Sequence, residues 1–314
     1  MVLFVADMTT GSTSISAADV FQALLGEGDA TTVRIVRHIR LIKAVVAIMA
    51  GAALSVSGLQ MQTLFRNPLA GPYVLGITSG ASLGVALFIL GASAIGLSVP
   101  VGGMGIAGAA WIGSAAVLTV IAAVGSRIRD ILVILILGMM FSSGVGAVVQ
   151  ILQYLSHEDA LKAYVVWTMG SLGDVTASQL NLFVPAVIAG LLLAVVAIKP
   201  LNLLLLGEQY AVTMGLNARR SRALIFLSTT LLAGTVTAYC GPIGFIGLAV
   251  PHLARTLWAN ADCRVLVPAS MLLGMAMMLL CDIISKSFLV PINTITALLG
   301  IPIVIWIVIT LSKK

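Results

Sequence analysis

The chain has 314 residues, 60% of them apolar and 9% charged, and a mean hydropathy of +1.14. Soluble proteins carry about 25% charged residues, so 17 basic and 11 acidic side chains cannot coat a globule of this size, and a soluble two-domain protein is excluded. The net charge of +6 then reads as cationic loops that set membrane topology, not as a nucleic-acid surface.

In chain order, Met1–Ala6 is apolar but shorter than a signal-peptide core of about 7–15 residues and lacks a basic leader. It reads as the tail of a helix whose beginning is missing. Nine candidate spans follow, near 41–63, 76–96, 103–124, 131–155, 180–199, 222–240, 243–258, 265–285 and 295–311. Between Asn67 and Ser126, 60 consecutive residues carry no charge, where one span needs about 20 apolar residues. The seventh span is short and holds Pro251, so it reads as a half-helix. The predicted fold class is an all-α polytopic transmembrane bundle. Gly76, Gly80 and Gly84 recur every four residues, a ridge on which another helix backbone can approach closely.

Orientation follows from Lys and Arg. With the Arg66 loop inside, alternation puts Arg127, Arg129, Lys199, Arg219, Arg220, Arg222, Arg255, Arg264, Lys313 and Lys314 on the same side, giving 11 basic residues there and 6 outside. The C-terminus is then cytoplasmic. Four of the six outside residues, Arg34, Arg37, Arg40 and Lys43, are crowded into one stretch, which calls for a charged partner or lipid headgroups. Cys240, Cys263 and Cys281 lie in or beside apolar segments without C-x-x-C spacing and read as buried thiols. His38, His157 and His252 are scattered, so no metal site is indicated. Asp282 is the main intramembrane acid and has no obvious partner, and this scarcity argues against a proton- or ion-coupled relay.

Three segments are too polar or too irregular for ordinary span boundaries. Gln60–Pro72 contains Arg66-Asn67-Pro68, a turn expected to end its helix at the cytoplasmic rim. Leu206–Leu216, followed by Arg219, Arg220 and Arg222, is a polar excursion with Gly207 and Gly215 as breaks around a short helix. Some 20 residues of organised polar chain exceed what a simple connection needs. Gly241–Arg255 holds glycines at 241, 244 and 247 with Pro242 and Pro251, so its backbone cannot be a regular helix throughout. Irregular backbone at membrane depth is tolerated only against protein or a water-filled cavity. A broken helix beside a pathway and a plain kinked helix both fit.

At these residues the chain resembles the FecCD-type permease subunit of ABC importers for vitamin B12, iron-siderophores and haem. The resemblance rests on Arg66-Asn67-Pro68-Leu69-Ala70, Gly76 with Ser79-Gly80-Ala81, Gly207-Glu208 with Gly215, Gly241–Arg255, and Thr296–Pro302, and runs from about residue 10 to the C-terminus. It implies about ten helices per subunit, the first shortened here, in one permease domain over 1–314 with a cytoplasmic coupling segment at 206–222. Gly207, Glu208, Ala211, Gly215 and Arg219 would seat that segment on an ATPase. Gly241, Pro242, Gly244, Gly247 and Pro251 would form the broken helix of the pathway. Arg40, Lys43 and Lys286 would receive acidic residues of a periplasmic or lipid-anchored binding protein. The family's Arg-x-Pro-Arg stands here as Arg40-Leu41-Ile42-Lys43, and its acidic-Leu-Pro-x-Gly turn as Val290-Pro291-Ile292-Asn293.

The implied function is the permease subunit of an ATP-driven importer moving an iron chelate or vitamin B12 across the inner membrane. A second copy of the chain, an ATPase dimer and membrane lipids would be its partners, and no nucleic acid. No G-x-x-x-x-G-K-[ST] occurs in the sequence, so ATP and Mg are expected on the ATPase, with no cofactor, metal or catalytic residue on this chain. An ion-coupled secondary transporter would need coupling-ion ligands, and an intramembrane enzyme a paired constellation at depth. The sequence does not distinguish the cargo.

Overall fold

The computed structural model describes residues 1–11, 13, 15–97, 103–125 and 131–312, and within them every regular element is a helix. Two short helices, α1 (Val2–Thr9) and α2 (Ala17–Leu25), precede the long α3 (Ala30–Leu64). Then come α4 (Ile77–Ala94), α5 (Gly103–Gly125), α6 (Ile131–Leu155), the short α7 (Glu158–Thr168) and α8 (Ala177–Val196). Two more short helices, α9 (Ile198–Leu205) and α10 (Glu208–Thr213), lead to α11 (Ala218–Cys240), α12 (Ile246–Trp258), α13 (Cys263–Phe288) and α14 (Ile292–Ser312). Helices α3, α4, α5, α6, α8, α11 and α13 are long and apolar enough to cross a membrane. Helix α14 is apolar over Ile292–Ile307. Helix α12 has 13 residues, about 20 Å at 1.5 Å per residue, and cannot span a core of about 30 Å alone. It is the half-helix expected from Pro251.

One helix starts and another ends earlier than expected. Charge was taken to mark the start of the first span near 41, but α3 begins at Ala30, where the Asp29 carboxylate accepts the N–H groups of Thr31 and Thr32. Its turn at Val36–Arg40 is widened, the Leu41 N–H reaching back to the Val36 carbonyl, an i→i−5 step of the π type. After α8, Pro200 has no N–H to offer the Val196 carbonyl, which ends that ladder and lets α9 leave in a new direction.

Helices α3 and α11 form the mostly buried centre, while α5, α6 and α8 turn most of their surface outward. Small residues set the spacing. A Cβ on Gly51 of α3 would sit 2.2 Å from the Gly274 carbonyl oxygen of α13, and one on Gly84 of α4 would sit 2.1 Å from that of Ala109 in α5. Gly80 also packs on α5, but Gly76 does not continue the ridge: it precedes α4 at φ 70° and faces α6. Polar side chains join the central helices. Gln60 of α3 donates to Ser228 Oγ (3.0 Å) and accepts from Thr229 Oγ1 (2.9 Å), and Ser228 donates to the Gly190 carbonyl of α8 (2.9 Å). The three cysteines are buried.

The expected docking residues Arg40, Lys43 and Lys286 face the protein. Arg40 is 5% exposed and donates to the Met8 and Thr9 carbonyls at 2.7 and 2.9 Å and to Thr13, thereby capping carbonyls that α1 leaves open. Lys286 Nζ lies 2.7 Å from Asp7 Oδ1 and 2.7 Å from Asp282 Oδ2, and Lys43 Nζ lies 3.0 Å from Asp282 Oδ1. Asp282, read from sequence as lacking a partner, has two. The physical reason is neutrality: two buried carboxylates need two ammonium groups. Arg127, Arg129, Lys313 and Lys314 lie outside the described residues.

Removing one partner from this cluster strands a buried charge. Lys286→Met leaves Asp7 uncompensated and is expected to cost about 3–5 kcal/mol. Adding Asp7→Asn should recover much of that loss, because Asp282 keeps Lys43. Thermal unfolding of the two purified variants in detergent measures the difference.

Candidate functional site

At the end of the bundle that carries Lys286, α11 stops at Cys240 and the chain continues without helix through 241–245. Gly241 takes φ 74°, and a Cβ there would stand 2.5 Å from the Trp167 carbonyl oxygen, so the position accepts only glycine. Other elements supply partners for two backbone groups here. The Ser171 N–H donates to the Cys240 carbonyl (2.8 Å), and the Gly244 N–H donates to Asn293 Oδ1 (3.0 Å). The Ile246 N–H donates to the Gly244 carbonyl (2.8 Å), closing a γ-turn around Phe245, whose φ is 65°. Such a turn is strained for a bulky residue. Phe245 is held there by α14, its Cβ only 2.3 Å from where a Cβ of Gly300 would lie.

Helix α12 then enters the bundle against α3. Pro251 offers no N–H to the Gly247 carbonyl, and that oxygen lies 1.8 Å from where a Cβ on Gly58 would be. One turn further along α3, Gln62 donates to the Leu248 carbonyl (3.0 Å) and accepts from Arg255 Nη1 (2.6 Å). Thus Gln62 grips both ends of the half-helix. Gly241, Pro242, Gly244, Gly247 and Pro251 form one continuous break. Beside it lies a cavity of about 330 Å³, walled by Pro242–Phe245, Tyr73, Thr78, Thr237 and Asn293.

The opposite end gathers the other two segments. Helix α3 closes with the Arg66 N–H on the Thr63 carbonyl and the Asn67 N–H on that of Gln62 (3.3 and 3.1 Å). This is the Schellman pattern, with Arg66 at φ 48°. Asn67 Oδ1 accepts from the Leu69 N–H (2.9 Å) across Pro68, an Asx turn. The Arg66 guanidinium reaches Gly207, 3.5 Å from where a Cβ would be. Gly207 itself has φ 106° and begins α10. Glu208 pairs with Arg222 of α11. Helix α10 ends in a second Schellman cap, with Gly215 at φ 87° and the Leu216 N–H on the Ala211 carbonyl (2.9 Å).

Glu208, Ala211 and the two glycines therefore hold α10 in place. Ala211 is buried, whereas Tyr210, Val212 and Met214 are exposed, with Arg219 and Arg220 exposed beside them. A polar end of a membrane protein that shows an apolar cluster marks an interaction surface. These exposed residues were missed from sequence, because a helix of 6 residues is too short for a periodicity that sets them apart from the buried Ala211. Asn293, counted only as a departure from the family turn, and Gln62 were also missed; a polar side chain beside a helix break was the available signal.

The Gly58–Gly247 contact gives a direct test. Gly58→Val forces a side chain into the Gly247 carbonyl, and overpacking of this kind costs about 1–3 kcal/mol. Gly144→Val on α6, where a Cβ meets open space, should not destabilise. Melting temperatures of both variants in detergent separate the two cases.

The comparisons with known proteins agree with this geometry. Residues 1–310 match the FecCD transport family. The hemin transport system permease of Yersinia pestis is 38% identical over 86% of this chain and 82% of its own length. The Fe(3+) dicitrate permease FecC of Escherichia coli is 32% identical over 94% and 89%, and the vitamin B12 permease of Klebsiella pneumoniae is 35% identical over 86% and 81%. A solved structure described as a metal-chelate type ABC transporter in an inward-facing conformation superposes with a TM-score of 0.85 at 30% identity, covering 98% of this chain and 96% of that one. A membrane-spanning helical chain with this break, this short exposed helix and these relatives belongs to the FecCD transport family.

Proposed function

We propose that the chain is the permease subunit of an ATP-driven ABC importer whose cargo is a metal chelate, haem or a corrinoid such as vitamin B12. The relatives that share its length carry hemin, ferric dicitrate and vitamin B12. The observation that carries the reading is the pairing of a protein-held break in the bundle, beside a cavity, with an exposed apolar and basic helix at the opposite end. In this reading the whole chain works as one permease domain. The 241–248 segment borders the pathway, and 206–222 with α10 at its centre docks on a separate ATPase pair that binds ATP and Mg. This subunit itself then performs no catalysis.

A second copy completes the pathway against the outward faces of α6 and α14, where Met140, Ile151, Leu298 and Ile305 are exposed. A binding protein delivers cargo at the Lys286 end. Of the three basic residues first assigned to that docking, Lys43 keeps partial exposure, at 22% of its side chain. In this reading the Arg66 end and the C-terminus face the cytoplasm, the side that basic loops favour, and the membrane is the inner one.

The test is reconstitution with the ATPase in proteoliposomes. Uptake should require ATP and persist without a proton gradient. Tyr210→Glu with Val212→Glu places charge on the docking face of α10 and should abolish copurification of the ATPase while the permease still inserts. ATPase assembly and uptake at wild-type levels in this variant would overturn the docking reading, and uptake driven by a proton gradient without ATP would favour a secondary transporter.

A further inference from the structure

Helix α9 lies between α8 and the exposed α10, and one of its side chains reaches across to the far part of the chain. Asn202 Nδ2 donates to Asp262 Oδ1 at 2.6 Å, and Asn202 Oδ1 accepts from the Cys263 N–H at 2.8 Å. Both ends of the amide are used, between elements 60 residues apart in sequence. The same Asp262 oxygen accepts from the Arg264 N–H at 2.8 Å and so starts α13. These two bonds hold the Asp262 carboxyl below the usual carboxylate range, the Arg264 N–H contributing most.

The turn gripped by Asn202 is short and constrained. It joins the end of α12 at Trp258 to the start of α13 at Cys263, with Ala259 at φ 45° and the Asp262 N–H bonded to Asn260 Oδ1 at 2.8 Å. Helix α12 is the half-helix of the break. On its other side, the arm formed by α9 and α10 is tied to α11 through Glu208 and Arg222. Leu201 and Leu204 of α9 are buried, so the helix is seated firmly enough to carry a displacement along its length.

We propose that Asn202 is a positioning residue of the transport cycle: its amide links the α9–α10 arm to the α12–α13 turn, so that movement of the arm reaches the broken helix. This rests on the reading of α10 as the ATPase-docking helix. A side chain serving only to complete local hydrogen bonds would matter for folding and assembly. A linking side chain matters for the amount of cargo moved per ATP hydrolysed.

The chemistry of the pair supplies the test. Asn202→Asp sets two carboxylates against each other where a donor and an acceptor now meet. Adding Asp262→Asn removes that clash: the new carboxylate still accepts from the Cys263 N–H, while the new amide can serve either residue 202 or the Arg264 N–H, because a single Asp262 oxygen serves both in the native pair. In the permease–ATPase complex reconstituted in proteoliposomes, Asn202→Asp should leave ATPase assembly and basal hydrolysis unchanged and lower uptake per ATP by about fivefold or more, the scale of a typical coupling between sites. The double variant, relieved of the charge clash, should recover part of it. Asn202→Ala removes both bonds without adding charge and should uncouple in the same way, which covers the case that Asn202→Asp does not fold.

Unchanged uptake per ATP in a folded Asn202→Asp or Asn202→Ala complex overturns the proposal. So does a loss in Asn202→Ala that falls equally on ATPase assembly and on uptake, the mark of a side chain that serves folding alone. A failure of the docking reading is distinguishable, since ATPase assembly would then be indifferent to Tyr210→Glu with Val212→Glu.

Discussion

Backbone N–H and C=O groups at membrane depth must find partners inside the protein, because lipid offers none. The chain leaves helical pairing at 241–245, and the structure around it supplies what the helix does not. Asn293 takes the Gly244 N–H, Ser171 serves the Cys240 carbonyl, and Gln62 serves that of Leu248. Gly58 and Gly300 lack side chains where the Gly247 carbonyl and Phe245 press in. Three elements, α3, α14 and the loop at Ser171, thus converge on a few residues beside the cavity.

The same constraint governs charge. Asp7 and Asp282 are fully buried, and a lone carboxylate there would be costly. Lys43 and Lys286 neutralise them, joining α1, α3 and α13 at the end where the break begins. Arg40 works alongside, on the open carbonyls of α1. Arg40 and Lys43, two of the four cations crowded into 34–43, are thereby explained by acids and carbonyls within the same chain. At the opposite end the charged groups are more exposed, and α10 is held by the Glu208–Arg222 pair and the buried Ala211 while Tyr210, Val212 and Met214 stay exposed.

Much of this was legible in the sequence. Apolar runs gave the long helices because hydropathy over some 20 residues is a local property. Gly207, Gly215, Pro242 and Pro251 marked the breaks because backbone dihedrals and missing donors are also local. The partners were not legible. Asp282 meets Lys43 across 239 positions (282 − 43), and nothing in the spacing announces it. Arg40 was expected to meet a binding protein by resemblance to the family, but the widened turn at Val36–Arg40 belongs to a helix that starts 11 residues (41 − 30) before the span expected near 41. Asn202, Asn293 and Gln62 are ordinary polar residues until the fold sets a broken backbone or an unpaired turn in front of them. The outward face of α10 needed the fold as well, since burial of Ala211 decides which side is free.

The central claim is that the 241–245 break borders an aqueous pathway, in contrast to the lipid-facing surface. It is tested most directly by thiol accessibility in a background carrying Cys240→Ala, Cys263→Ala and Cys281→Ala. Ile243→Cys and Tyr73→Cys, both on the cavity wall, should react with a membrane-impermeant thiol reagent in the assembled transporter. Leu192→Cys on the outer face of α8, where the native side chain is 62% exposed, should not. Reaction of Ile243→Cys no faster than that of Leu192→Cys, in a correctly inserted protein, would contradict the account.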